Sequence, residues 1–164
     1  MVPRDADEVI LGLSMIRVAA FELALEKVVE VGVSRIVPVI TARSNTAMGK
    51  REGRWLRIIV EAAKQSKRYH LPQLDPPTSF EEMLTMSAPS RIMLAERRGR
   101  SIKLALSRSP VLYVVGPEGG WTDSELDRAE AAGFSLVGLG SGILRSETAA
   151  IVGAGLIRNE LQSR

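Results

Sequence analysis

Cysteine is missing from the whole of the 164-residue chain. Its absence excludes disulfides, thiolate metal ligands and iron–sulfur clusters, and it removes a cysteine nucleophile. Histidine occurs once, at His70, and one imidazole cannot form a multi-histidine metal site. No dedicated metal site is therefore expected, and a carboxylate-held Mg²⁺ is the one option left open. No apolar run approaches the ~20 residues needed to span a bilayer. The start, Met1-Val2-Pro3-Arg4-Asp5-Ala6-Asp7, lacks the basic-then-apolar layout of a signal peptide. A cytoplasmic address, with no membrane partner, is the resulting expectation.

What is present suits one soluble domain. Apolar residues make up 45% and charged residues 25% of the chain, an ordinary globular balance. The formal net charge of +3 is compatible with a polyanion partner without establishing one.

Strand-like and helix-like segments alternate. Val9-Ile10-Leu11-Gly12-Leu13 reads as a short strand. A helix is predicted from about Arg17 to Val31, with Phe21, Ala24, Leu25, Val28 and Val29 on one stripe and Gly32 as its stop. Arg35 to Ile40 reads as a buried strand in which Pro38 points to an edge or a bulge. A second helix runs from about Lys50 to Lys67, with Trp55, Ile58, Ile59, Ala62 and Ala63 on its apolar face. The proline-rich stretch Leu71 to Pro89 reads as a long connection around a short helical piece at Phe80–Leu84. Arg91 to Ala95 is a strand and Ser101 to Leu106 a short helix. Val111-Leu112-Tyr113-Val114-Val115 is a buried, parallel-type strand. Thr122 to Ala132 is a helix opened by the capping box Thr122-x-x-Glu125 and closed by Gly133. Phe134 to Leu139 is a strand, and a last helix runs from about Arg145 to Leu161. The alternation predicts an α/β fold with a mainly parallel sheet and helices on both faces.

Ligands of open α/β sheets sit at the carboxyl ends of strands. Loops after Leu94, Val115 and Leu139 occupy such positions, and two of them are glycine-rich. Gly116-Pro117-Glu118-Gly119-Gly120 is neither a Walker loop nor a G-x-G-x-x-G fingerprint. By composition alone, it and Leu139-Gly140-Ser141-Gly142 read as tight turns.

Their combination is more specific. The Gly116–Gly120 loop, the helix after it, Gly133, a strand to Leu139-Gly140, then Ile143-Leu144-Arg145-Ser146-Glu147-Thr148-Ala149 resembles the C-terminal signature of the SPOUT RNA methyltransferases. Within that superfamily the chain is most similar to the small-subunit methyltransferase E family, which methylates uridine N-3 in 16S ribosomal RNA. Glu26-Lys27-Val28-Val29-Glu30-Val31-Gly32-Val33 and Glu61-Ala62-Ala63-Lys64-Gln65-Ser66-Lys67-Arg68 extend the likeness over most of residues 1–164.

The resemblance implies a C-terminal trefoil knot, a homodimer, S-adenosylmethionine as cofactor and ribosomal RNA or the small subunit as partner. It implies that Leu94, Gly116, Glu118, Gly119, Leu139, Gly140, Ile143, Leu144 and Ala149 line the cofactor pocket, mostly through backbone atoms. Arg145 would hold an RNA phosphate or the target base, and is the first candidate to stabilise the base anion. Arg43, Lys50, Arg51, Arg54, Arg57, Lys64 and Arg68 would neutralise RNA phosphates, against the alternative of a solvated basic face. Glu147 or Thr148 is expected to cap the last helix. Gly153 and Gly155 fit either an interface or a frayed helix. No general base is evident, and His70, before Leu-Pro, reads first as a surface residue. The missing cysteine argues against pyrimidine C-5 methylation through a covalent adduct, and leaves ring nitrogen or ribose hydroxyl as acceptor. Family members usually begin with a β-rich, PUA-like domain, whereas this chain is expected to be the catalytic domain alone. A ribose 2′-O-methyltransferase, a non-catalytic RNA-binding or assembly module and a small-molecule-binding domain are the competing readings.

Overall fold

The computed structural model describes residues 7–45, 50–96, 99–140 and 142–164. Met1–Ala6 and Ser141 of the expected loop lie outside them. The described strands are β1 (Val9–Ser14), β2 (Arg35–Ile40), β3 (Gln73–Leu74), β4 (Thr78–Ser79), β5 (Ser90–Leu94), β6 (Val111–Val115) and β7 (Ser135–Val137). The helices are α1 (Val18–Val31), α2 (Glu52–Gln65), α3 (Phe80–Leu84), α4 (Ile102–Ala105), α5 (Asp123–Ala131) and α6 (Ser146–Gln162). The strands form one sheet in the order β3-β2-β1-β6-β5-β7, with β4 also on β2. Every pairing is parallel.

Alternation along the strands divides the core into two layers. Val9, Leu11 and Leu13 of β1 pack with α1, α2 and α6, whereas Ile10 packs with Phe80 and Met83 of α3 and Leu126 and Ala129 of α5. Helices therefore cover both faces, as the alternating pattern predicts. On α1, the buried residues are Phe21, Ala24, Leu25, Val28 and Val29, the stripe read from the sequence. Burial of each large member contributes about 1.5–3 kcal/mol. Gly32 ends α1 at φ 123°, a backbone conformation that favours glycine, and its N–H donates to Val28 O. The α5 capping box is complete, with Thr122 and Glu125 each receiving the other's backbone N–H.

Some expectations are corrected. β2 is internal, not an edge strand. Ile36 O accepts from Asp75 N and Val39 O from Met15 N, so successive residues face opposite neighbours. Pro38 turns its N–H-less side outward, between the short strands β3 and β4, where no ladder bond is required. β3 and β4 themselves carry no sequence pattern because they are two residues each. The last strand stops at Val137, which frees Gly138–Gly140 as loop. Arg145, not Glu147 or Thr148, occupies the N-cap of α6, with no side-chain capping bond. Glu147 lies in the first turn, where its charge favours the helix dipole. Gly153 is explained within the chain: an added Cβ would lie 3.1 Å from Tyr113 Cε2 and 3.2 Å from Leu94 Cδ1. Beside it, the buried Tyr113 donates its Oη to Ala150 O at 2.7 Å, which docks α6 on the sheet.

Candidate functional site

A parallel sheet brings all strand carboxyl ends to one edge, and there the loops after β5, β6 and β7 surround a cavity of about 470 Å³. All nine residues expected around a cofactor line it: Leu94, Gly116, Glu118, Gly119, Leu139, Gly140, Ile143, Leu144 and Ala149. The Gly116–Gly120 loop brings main-chain groups to its wall, beside the polar side chains of Arg43, Glu96, Glu118, Asp123 and Ser146. Gly120, at φ 78°, makes the turn out of that loop.

Side chains that the sequence reading did not single out hold this wall in place. Trp121 packs on Gly116, where an added Cβ would come within 2.9 Å of Cε2. Its Nε1 donates to Leu94 O at 2.9 Å, which joins the β6 loop to the end of β5. Ser146 Oγ donates to Gly116 O at 2.7 Å and pins the start of α6 to the same loop. Ser146 stands inside the Ile143–Ala149 signature, and Trp121 directly follows the glycines, so both were visible as residues. What they bond was not.

Glu118 lines the cavity, but its carboxylate is engaged elsewhere. Oε1 accepts from Arg17 N at 2.8 Å and lies 3.6 Å from Arg17 Nε. It thus supplies an anionic partner at the start of α1, where the helix dipole favours negative charge. Arg43, expected only as a phosphate contact, also lines the cavity, and its Nη1 donates to Gly119 O at 2.7 Å. Arg145 is exposed and is not among the cavity-lining residues.

The basic residues do not form one patch beside the cavity. Arg43, Lys50 and Arg51 lie where the chain leaves β2, at the cavity edge of the sheet. α2 then runs back toward the start of β3, so Lys64 and Arg68 are at the opposite edge, about 20 Å along the helix. Arg54 is paired with Glu22 at 2.7 Å and Lys64 with Glu61 at 3.6 Å. Arg57 is exposed on α2. Arg68 Nη1 donates to Val29 O in the last turn of α1 at 3.2 Å, a structural contact that a helix C-terminus favours. His70 is exposed beyond that end of α2, away from the cavity.

A family model described as an RNA methyltransferase domain matches residues 3–158. The chain is 33% identical to the ribosomal RNA small subunit methyltransferase E of Mesomycoplasma hyopneumoniae over 151 residues, covering 88% of this chain and 66% of the relative. It is 33% identical to the protein of the same name from Synechocystis, covering 94% of this chain and 54% of the relative. The chain thus spans about half to two thirds of the length of these relatives. Among solved structures, the Neisseria gonorrhoeae ribosomal RNA small subunit methyltransferase E bound to S-adenosyl methionine superposes with a TM-score of 0.88 at 32% identity. That match covers 94% of this chain and 66% of the other.

Proposed function

Since this chain belongs to the RNA methyltransferase domain family, we propose that it binds S-adenosylmethionine at the glycine-lined cavity and methylates N-3 of a uridine in 16S ribosomal RNA. The observation that carries the reading is the convergence of all nine expected positions on one cavity at the carboxyl ends of β5, β6 and β7. The residues present fit the cofactor: a volume of about 470 Å³ lies within the ~300–1,000 Å³ common for small-molecule sites. The glycines let the main chain of the loop approach adenine and methionine closely. When bound, the cofactor supplies a methyl group already activated by its sulfonium.

The chain's own contribution is alignment and exclusion of water. The walls made by Trp121, Gly116 and Leu94 are cross-bonded before any ligand arrives, so little reorganisation accompanies binding. Arg145, exposed at the entry of α6, would meet RNA rather than the cofactor. Lys50 and Arg51 supply positive charge at the same edge, where phosphates flanking the target would lie.

We further infer a homodimer and a C-terminal trefoil knot, with action in the cytoplasm on the small subunit. Support for the dimer comes from apolar residues facing outward on α1 and α6, Leu23, Val152 and Leu156, with open space at Gly155 between the last two. Support for the knot comes from the connection between β6 and β7, which passes β5 to set β7 on its far side, and from the tie between Ser146 and the β6 loop.

Calorimetric titration with S-adenosylmethionine tests the site, using wild type and Gly119→Val. The valine Cβ would meet only the flexible Arg43 side chain, at 3.2 Å, so the variant is expected to fold yet to lose binding by tenfold or more. Nucleoside analysis of treated small-subunit RNA then tests the acceptor. Methylation at ribose would overturn the N-3 assignment, and a folded wild type without affinity for the cofactor would overturn the enzyme reading.

A further inference from the structure

The start of the loop after β2, Thr41–Asn45, is held from two sides, and the charged side chain it presents outward is Arg43. Beneath it, Ser14 Oγ, Thr41 Oγ1 and Ser44 Oγ form a closed triangle of hydroxyl contacts at 2.8, 3.0 and 3.2 Å. Ser44 Oγ also accepts from Thr41 N at 2.8 Å, and Asn45 N donates to Met15 O at 2.6 Å. From the α5 side, the buried Glu125 accepts from Ala42 N at 3.1 Å with one carboxylate oxygen and from Thr122 N at 2.8 Å with the other. The segment Thr41–Asn45, tied by this many bonds, is restrained, which lowers the entropic cost of using it.

Arg43 stands on that platform. It is exposed, lines the cavity, and donates Nη1 to Gly119 O at 2.7 Å. Its stem also covers the Gly119 Cα, since an added Cβ would meet Arg43 Cδ at 3.2 Å. A guanidinium carries five N–H donors in one rigid plane. One is engaged by the cofactor loop, and the others have no partner among the described residues.

We propose that Arg43 bridges the two substrates: one edge of its guanidinium holds the cofactor loop through Gly119 O, and the other takes a carbonyl oxygen of the acceptor pyrimidine. This rests on the methyltransferase reading above. In the transfer, the ring nitrogen loses its imide proton to solvent, and its electron pair forms the bond to the methyl carbon. The carbon–sulfur bond breaks with its pair left on sulfur. Arg43 exchanges no proton. It stabilises the negative charge that the base carbonyl carries once the imide proton has gone. Arg43, more than Arg145, is then the side chain nearest both partners, because Arg145 lies outside the cavity wall.

A bridge makes cofactor and RNA binding interdependent, which is measurable without turnover. The affinity of the full chain for undermethylated small-subunit RNA is measured with and without S-adenosylhomocysteine, for wild type, Arg43→Ala and Arg43→Lys. Single-turnover methyl transfer is followed in parallel. The wild type is expected to bind RNA roughly tenfold more tightly with the nucleoside present. In Arg43→Ala that factor falls to about one and the transfer rate drops on the order of 100-fold. RNA affinity without the nucleoside changes less than about threefold, since phosphate contacts made elsewhere carry that affinity. Arg43→Lys restores the charge but not the fork, so its rate stays low. Thermal melts confirm that each variant is folded. Absence of coupling in the wild type, or coupling and rate that survive Arg43→Ala, overturns the bridge. So does a loss confined to RNA affinity, which would make Arg43 a phosphate anchor. Coupling that depends on Arg43 in a protein that transfers no methyl group would sink the proposed reaction and leave the bridge standing. Methyl transfer that ignores Arg43 would do the reverse.

Discussion

Replacing Tyr113 by phenylalanine should destabilise the protein at neutral pH and stabilise it at high pH. The ring stays, so its packing against Gly153 is retained, and only the Oη–Ala150 O bond of 2.7 Å is deleted. Loss of one such bond costs about 1 kcal/mol, which for a domain of this size lowers Tm by about 2–4 °C. Burial pushes the Tyr113 phenol well above its ordinary value, so the folded state keeps it protonated in alkali. The unfolded chain ionises it near pH ~10. Above that pH the folded state binds one proton more than the unfolded state, and wild-type stability falls by about 1.4 kcal/mol per pH unit. The contribution is fully present below the unfolded value and is lost as pH rises past it. The variant lacks this slope. The two stabilities should therefore meet about one unit above the unfolded phenol's pKa, near pH ~11, and cross beyond it. Tyr69, 81% exposed, is common to both proteins and drops out of the difference. Urea melts of both proteins at pH 7, 9, 10 and 11 measure the gap. A gap that stays constant with pH would refute the reasoning, since it would mean that the phenol ionises in the folded protein.

Gly116→Ala should displace Trp121, because the new Cβ would lie 2.9 Å from Cε2 and 3.0 Å from Nε1. A cost of about 1–3 kcal/mol in urea melts is expected. A change in tryptophan emission should accompany it, and Trp55, buried and stacked on Phe21 at 4.4 Å, should contribute none of that change. Unaltered emission would show that the indole does not rest on Gly116. In RNA binding, Lys50→Ala should reduce the slope of log affinity against log salt by about one, whereas Lys64→Ala should leave it unchanged. An equal effect of Lys64→Ala would mean that RNA follows α2 to the far edge of the sheet.

Local sequence carried the elements whose pattern is local. The α1 stripe, the Thr122–Glu125 capping box and the apolar run of β6 each reach the structure as read, because period and cap chemistry act within a few residues. The identities of the cavity-lining positions were legible too, through the resemblance of the final signature. The misreadings have a common cause. Pro38 was taken for an edge or bulge signal, but its position between β3 and β4 depends on strands too short to show a period. The basic residues of α2 were read as one set, yet the direction of a parallel crossover sends Lys64 and Arg68 to the far edge. Arg68 was read by charge, and the fold uses it at the end of α1; Glu118 lines the cavity as expected, and its carboxylate also serves the start of α1.

What sequence could not reach is the lacing of the glycine loop. Its partners are distant in the chain: Gly119 to Arg43 spans 76 residues, Glu118 to Arg17 spans 101, and Gly116 to Ser146 spans 30. Glu125, just beyond the loop, reaches Ala42 across 83. Three of these four ties run to the loops after β1 and β2, which flank the cavity and adjoin the basic residues at its edge. A glycine-rich loop that was merely a tight turn would need none of them. Glycine lets the backbone come close to a ligand but gives it no rigidity, so a loop built to recognise through main-chain groups must borrow stiffness from neighbours. Arg17, Arg43, Trp121 and Ser146 supply that stiffness here. Because Arg43 is also exposed at the cavity rim, the residue that stiffens the glycine loop is, on the proposed reading, the one an incoming nucleotide would meet.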